Sequence, residues 1–313
     1  MTRAFVFPGQ GSQAVGMGRE LAGAFAAARD TFAEIDEALG QNLSALMFEG
    51  PEEELRLTAN AQPALMAVSL AVLRVLEREA KLDLARDVAF VAGHSLGEYS
   101  ALAAARSFGV ADAARLLRRR GAAMQRAVPV GAGAMAALLG LDLDAARAVA
   151  EAAAQGEVCD AANDNAPGQI VVSGNRGAVE RALAEAASRG ARRSIMLAVS
   201  APFHCALMAP AAAEMASALA EIDIAAPVVP LIANVTAAPT SDPAAIRALL
   251  VEQVTSLVRW RECVLAMKER GVTDLIEIGA GKVLTGLAKR IDRELNAAAV
   301  GTPSDIDAFV KTL

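Results

Sequence analysis

Residues 93–97 read Gly-His-Ser-Leu-Gly and lie between an apolar run, Val88 to Ala92, and a helical pattern that opens at Glu98. A G-x-S-x-G pentapeptide between strand and helix presents its serine hydroxyl outward from a sharp turn, with glycines where the two elements come too close for side chains. The helix N-terminus behind Ser95 favours negative charge in front of it. A serine hydroxyl is a poor nucleophile until a base removes its proton, and the chain has two histidines. His94 precedes the serine in the turn, so its side chain is expected to point away from the nucleophile and into the protein. His204, in the loop Ser200-Ala201-Pro202-Phe203-His204-Cys205, is therefore the base if there is one. Acyl transfer also needs donors for a developing oxyanion. The amide of Leu96 is one; the loop after the N-terminal strand offers the other at Gln10, between Gly9 and Gly11.

A second chemical signal lies in the pattern 112–127. Ala113, Leu116, Leu117, Met124 and Ala127 form an apolar stripe at helical spacing, and Arg120 falls near its centre. The neighbouring Arg115, Arg118, Arg119 and Arg126 lie outside the stripe and are expected in solvent. An arginine aimed inward needs a carboxylate, because an unpaired buried guanidinium costs several kcal/mol. That carboxylate is either an internal Asp or Glu, or belongs to a substrate whose acyl group ends in a free acid.

The elements that must hold these residues follow an α/β order, with apolar helical patterns alternating with short β-rich runs. Strands are expected at 5–7, 88–92 and 274–278, and helices at 63–79, opened by Pro63, and at 96–105, 112–127, 205–221, 243–254 and 283–291. Residues 131–200 read strand, helix, strand, strand, helix, strand, the order of a ferredoxin-like split unit. This divides the chain into a large domain, 1–129 and 200–313, and an inserted subdomain, 130–199, with a cleft between them as the natural ligand site. The glycine loop Phe7 to Gly18 also fits the loose dinucleotide fingerprint, but a helical pattern follows where the second strand and its acidic residue belong, so a nucleotide role fails.

The 313 residues carry a net charge of −6, which gives no general basic surface and speaks against nucleic acid. Cys159, Cys205 and Cys263 have neither disulfide nor metal spacing and suit a reducing cytoplasm. The N-terminus does not read as a signal peptide, and uncharged stretches such as 196–213 are interrupted by proline and histidine, so no membrane span is expected.

Taken in order, FPGQGSQ, QPAL (62–65), GHSLGEYSAL (93–102), RRG (119–121), NAPGQ (165–169), PFHC (202–205) and GAGKVLTGL (279–287) resemble the malonyl-CoA:acyl carrier protein transacylases over essentially the whole chain. More distantly, the chain is similar to the acyltransferase domains of polyketide synthases. The resemblance implies an α/β-hydrolase-like catalytic domain with the ferredoxin-like insertion. It implies a malonyl-serine at Ser95, His204 as base and then acid, and an oxyanion hole of the Gln10 and Leu96 amides. Arg120 would bind the malonyl carboxylate. The backbone carbonyl of Gln253 would orient the histidine, in place of an acidic third member. Phe203 matches a pattern that crowds the acyl α-carbon, and Gln62, Met124 and Asn165 would line the substrate or coenzyme channel. Phe203, where many members have serine, and Ala280, where proline is commoner, bear on fine selectivity.

The expected partners are malonyl-CoA and a holo-acyl carrier protein, acidic in this family, which calls for a basic rim drawn from Lys282, Lys289, Arg290, Arg192 and Arg193. No metal or redox cofactor is implied, since the coenzyme A thioester enters as substrate. The competing readings are a serine thioesterase or carboxylesterase, for which a buried Arg120 has no use, and a non-catalytic carrier-docking module, for which Ser95 and His204 have none. A malonyl transacylase serving polyketide synthesis or malonate decarboxylase would share the same chemistry.

Overall fold

Arg3–Phe7 (β1) is buried from Ala4 onward and runs between two parallel neighbours, Phe90–Gly93 (β2) and Asp274–Ile278 (β9). In the computed structural model, which describes residues 2–313, this trio forms the centre of a six-stranded sheet. With β7 (Leu231–Ile232), β8 (Pro239–Thr240) and β10 (Asn296–Val300), its order is β10-β9-β1-β2-β7-β8, parallel except at β7–β8. The register pairs Phe7 with Gly93, so the glycine loop after β1 and the serine turn after β2 leave the sheet side by side. The His94 N–H closes that junction by donating to the Phe7 carbonyl at 3.0 Å. Ligands of open α/β sheets bind at this carboxyl edge, where neighbouring connections diverge.

A second sheet is antiparallel, with strands Gly133–Leu139 (β3), Cys159–Ala166 (β4), Gln169–Asn175 (β5) and Arg193–Met196 (β6) in the order β4-β5-β3-β6. Period-2 alternation divides its side chains between two cores. Ala134, Ala136, Leu138, Ile170 and Val172 pack with helices Leu143–Ala154 and Arg176–Ser188 in a core of their own. Met135, Ala137 and Val171 turn the other way and join the main core. β4 is also tied to the chain ahead of helix Trp260–Glu269. Val258 exchanges backbone hydrogen bonds with Ala162 and Asp164, each at 2.9 Å, and the fully buried Asp164 carboxylate pairs with Arg261 at 2.8 Å.

Several elements depart from the sequence expectations for identifiable reasons. The expected helix 63–79 begins at Thr58, so Pro63 lies inside it. Burial of most residues from Thr58 to Leu76 outweighs the one N–H that proline lacks. The helix is apolar and long enough to cross a membrane, yet 89% of its apolar window is buried in the fold. The pattern 205–221 splits into a 3₁₀ turn, Ala206–Met208, and a helix, Ala209–Ala220, because Pro210 fits only the first helical turn. Strand β4 runs through the polar stretch Asn163-Asp164-Asn165, where the side chains of Asp164 and Asn165 find partners in Arg261 and His94 that propensity does not reveal. Arg118, expected in solvent, is part-buried and donates to Asn60 Oδ1 at 2.6 Å.

The junction of β1, β2 and the following helix, Gly97–Ala104, leaves no room for a side chain. A Cβ on Gly97 would lie 2.2 Å from the Phe7 carbonyl oxygen, and one on Gly93 would lie 1.9 Å from the carbonyl of Gly97. Because the obstacle is backbone, Gly97→Ala should destabilise the protein by about 3 kcal/mol or more. Urea unfolding of wild type and variant checks this, and equal midpoints would show that the junction yields.

Candidate active site

Ser95 takes a left-handed backbone conformation, φ 53°, in the turn between β2 and the Gly97–Ala104 helix. A serine held there costs about 1–3 kcal/mol, so the surroundings must enforce it. Asn234, fully buried just beyond β7, does so from both sides: its Oδ1 accepts from the Ser95 N–H at 2.8 Å, and its Nδ2 donates to the Gly93 carbonyl at 2.7 Å. The turn thereby points the Ser95 hydroxyl into a cleft of about 330 Å³ between the two sheets.

His204, also left-handed at φ 58° and 3% exposed, meets the serine across this cleft. Its Nε2 lies 2.7 Å from Ser95 Oγ, and its Nδ1 lies 2.9 Å from the Gln253 backbone oxygen. A carbonyl can only accept, so Nδ1 carries the proton and Nε2 faces the hydroxyl with a free lone pair. Burial, and then the charge of Arg120, lower the imidazole pKa to about 3, which keeps it neutral. Cys205, adjacent in sequence, is no rival nucleophile. It is fully buried and burial pushes its thiol up to about 11; all three cysteines are buried and unpaired.

Arg120 comes from helix Val110–Ala127 with 1% exposure. Its neighbours on that helix pair with acids: Arg115 with Asp112, Arg119 with Glu214 and Glu221, and Arg126 with Glu214. Arg120 forms no ion pair among the described residues. Its guanidinium donates to neutral acceptors instead: Gln62 Oε1 at 2.8 Å, Gln253 Oε1 at 2.9 Å and Ser95 Oγ at 3.1 Å. It lies 5.6 Å from the centroid of the Tyr99 ring, and its Nε has no partner. The sequence left an internal carboxylate and a substrate carboxylate as alternatives; no internal one makes contact.

Most of the expected site residues converge here. Ser95, His204, Gln10, Leu96, Arg120, Gln62, Met124 and Phe203 all line the cleft, facing Met135 and Leu197 to Val199 of the smaller sheet. Gln62 is oriented by donating to Thr58 Oγ1 at 3.0 Å, and Thr58 in turn donates to Gln10 Oε1 at 2.8 Å. Neither the Gln10 nor the Leu96 amide has a backbone acceptor among the described residues. Gln253 stands behind His204 as expected, with its backbone oxygen on the ring.

Asn165 is the exception. Strand β4 bulges between Asp164 and Ala166, Asn165 Oδ1 meets His94 Nε2 at 2.8 Å, and Asn163 lines the cleft in its place. His94 also borders the cleft, but its Nε2 is engaged by Asn165 and its ring lies 5.8 Å from that of Trp260.

Three participants escaped the sequence reading: Asn234, the side chain of Gln253, and Glu98. Gln253 Nε2 donates to the Ser95 carbonyl at 3.1 Å and to the Glu98 carboxylate. Asn234 follows a strand only two residues long, which leaves no pattern to read. Glu98 did leave a signal: it is an acid in the helix Gly-Glu-Tyr-Ser-Ala-Leu-Ala-Ala, every residue of which is buried.

Comparison with known proteins adds an independent line. The acyl transferase domain family matches residues 4–302. The curated malonyl CoA-acyl carrier protein transacylase of Salmonella typhimurium is 47% identical over 305 residues, covering 97% of each chain. The crystal structure of an acyl-carrier-protein-S-malonyltransferase from Bartonella henselae superposes with a TM-score of 0.97 at 55% identity, covering 100% of this chain and 99% of that one. A type II PKS acyl-carrier protein in complex with its malonyl-transacylase aligns with a TM-score of 0.97 at 44% identity, covering 100% of both chains. Matches of this identity running almost from end to end show that the chain belongs to the acyl transferase family, with the malonyl-CoA:acyl carrier protein transacylases.

Proposed function

We propose that Ser95 carries malonyl from malonyl-CoA to the phosphopantetheine thiol of holo-acyl carrier protein in two steps, supplying fatty acid chain elongation. The single observation that carries this reading is a buried arginine, without a carboxylate in contact, 3.1 Å from a serine hydroxyl that a neutral histidine also meets. In the first step His204 Nε2 takes the Ser95 proton as Oγ attacks the thioester carbonyl. The oxyanion forms against the Gln10 and Leu96 amides, and the proton passes to the departing coenzyme A sulfur. In the second, His204 takes the proton of the carrier thiol, whose sulfur attacks the malonyl ester, and returns it to Ser95. The Gln253 carbonyl holds the ring for both. No metal or redox cofactor is needed for either step.

Arg120 pairs with the malonyl carboxylate and so fixes the acyl group in attack geometry. The pairing also acts on the base. The charge of Arg120 holds the His204 pKa down, and a carboxylate on Arg120 offsets that charge, making His204 more basic as a dicarboxylic acyl group arrives. Gln62 shares Arg120, while Met124 and Phe203 bound the acyl chain. Phe203 crowds the α-carbon, worth about 1–3 kcal/mol against one added methyl.

We read the fold as an α/β-hydrolase-like catalytic domain, 1–129 and 200–313, with a ferredoxin-like insertion at 130–199; the β4-β5-β3-β6 order supports the second part. Leu139 pairs with both Gln169 and Arg193, and Gln169 accepts from Arg290 at 2.8 Å. This gathers Arg193 and Arg290 at one end of the small sheet, where an acidic carrier would find cations. The place of action is the cytoplasm.

Incubation with malonyl-CoA should add one malonyl group to the intact mass of wild type and none to Ser95→Ala, and holo-carrier protein should discharge it faster than water does. An adduct persisting in Ser95→Ala would sink the mechanism, and equal discharge to water would make the protein a hydrolase. The histidine supplies a second test. With its pKa lowered to about 3, His204 stays a competent base in mild acid, so kcat/KM should show no acid limb near pH 6.5, the ordinary histidine value. A limb there would show that the base is an unperturbed imidazole. The same depression weakens the fold in acid. Unfolded histidine takes a proton below about pH 6.5 while the folded one refuses it until about 3, so stability declines across that window.

A further inference from the structure

Glu98 is 1% exposed, and the transfer steps above give it no task. Its Oε2 accepts from the Gln253 side-chain amide and, at 3.4 Å, from the Asn234 N–H. The other end of the same Gln253 amide, Oε1, accepts from Arg120 at 2.9 Å. One amide thus stands between a buried guanidinium and a buried carboxyl, with its oxygen toward the cation and its nitrogen toward the acid, the orientation that satisfies both ends. The charges feel each other across it: Arg120 draws the Glu98 pKa down while burial drives it up. Tyr99 and Cys263 are the other titratable groups that sense Glu98. Burial holds Tyr99 up at about 12 and Cys263 well above its ordinary value, so both stay neutral.

We propose that Glu98 is the resident counter-charge of Arg120 and takes up a proton from solvent on Oε1 when a substrate carboxylate occupies Arg120, so that malonyl loading is linked to uptake of one proton. The proposal rests on reading Arg120 as the carboxylate site. Without substrate, and above about pH 7 where Glu98 is ionised, the cluster holds one positive and one negative charge. A malonyl carboxylate adds a second negative charge in a buried place, where uncompensated charge is costly. Protonating Glu98 restores neutrality, and both hydrogen bonds at Oε2 survive because the proton lands on the other oxygen. Burial raises the Glu98 pKa to about 7, which places the exchange near neutrality. An acetyl group carries no acid, leaves the pair undisturbed and requires no proton.

The test is the ratio of kcat/KM for malonyl-CoA to that for acetyl-CoA between about pH 6 and about pH 9, since the ratio cancels the ionisations of Ser95 and His204 that both substrates share. In wild type the ratio should be level in acid and fall about tenfold per pH unit once Glu98 ionises, above about 7. In Glu98→Gln, which keeps an acceptor for Gln253 and Asn234, it should be level throughout. A pH-independent ratio in wild type, or the same slope in Glu98→Gln, overturns the proposal. A measurement on wild type alone adds a second check. Malonylation at about pH 8 in weak buffer with an indicator dye, blanked with acetyl-CoA for thiol ionisation, should consume close to one proton per acylated serine. No uptake would also overturn it. A missing malonyl adduct by intact mass contradicts the transfer reading itself, whereas a normal adduct with a level ratio contradicts only the role of Glu98.

Discussion

A guanidinium buried without a carboxylate in contact is the constraint around which this site is organised. Leaving such a charge unpaired costs several kcal/mol, and the fold moderates the cost with oriented amides instead of an acid. Gln62 and Gln253 both present their side-chain oxygens to Arg120, and each is held in that orientation from behind, Gln62 by Thr58 and Gln253 by Glu98. The geometry requires the Arg120 helix to lie tight against the Gln62 helix. It does so at Gly121, where a Cβ would sit 2.5 Å from the Thr58 carbonyl oxygen. Neutral acceptors keep the arginine in place without a carboxylate in contact, which leaves it open to an acyl group that brings its own carboxylate.

The proposed nucleophile, Ser95, and base, His204, depend on the same cluster. Gln253 is the shared member: its carbonyl sets the His204 tautomer, its side-chain oxygen meets Arg120, and its side-chain nitrogen meets the Ser95 carbonyl and Glu98. Asn234 clamps the strained serine turn and donates its own N–H to Glu98. A charge arriving at Arg120 is therefore felt at His204 and at Glu98 without movement of the backbone. In the proposed mechanism, binding of the correct acyl group raises the basicity of His204, so selectivity and catalysis would share one electrostatic origin.

Much of this was legible from local pattern. The Gly-His-Ser-Leu-Gly turn announced Ser95 and the Leu96 amide, two histidines reduced the base to a choice, and helical periodicity set Arg120 apart from the arginines around it. Alternation and length gave the strand and helix order of the smaller sheet. What escaped is what depends on distant chain: the two-residue strand before Asn234, the Gln253 side chain bridging to Glu98 far back in sequence, and the bulge that exchanges Asn165 for Asn163 at the cleft. The full length of strand β4 was not legible locally, because the partners of its polar end, Val258, His94 and Arg261, lie far away in sequence. Pro63 suggested a helix start that burial overrode.

The central claim, that Arg120 is held out of contact with any internal carboxylate so that a substrate carboxylate can meet it, is tested most directly by acylation of Ser95 from malonyl-CoA and from acetyl-CoA in wild type and Arg120→Ala. Removing one partner of a buried charge pair costs about 2–5 kcal/mol. The account therefore predicts that malonyl acylation falls about a hundredfold or more while acetyl acylation holds or rises, collapsing the preference. An unchanged ratio, with both rates intact or both reduced alike, would show that Arg120 serves the fold and not the acyl group, and would contradict the account.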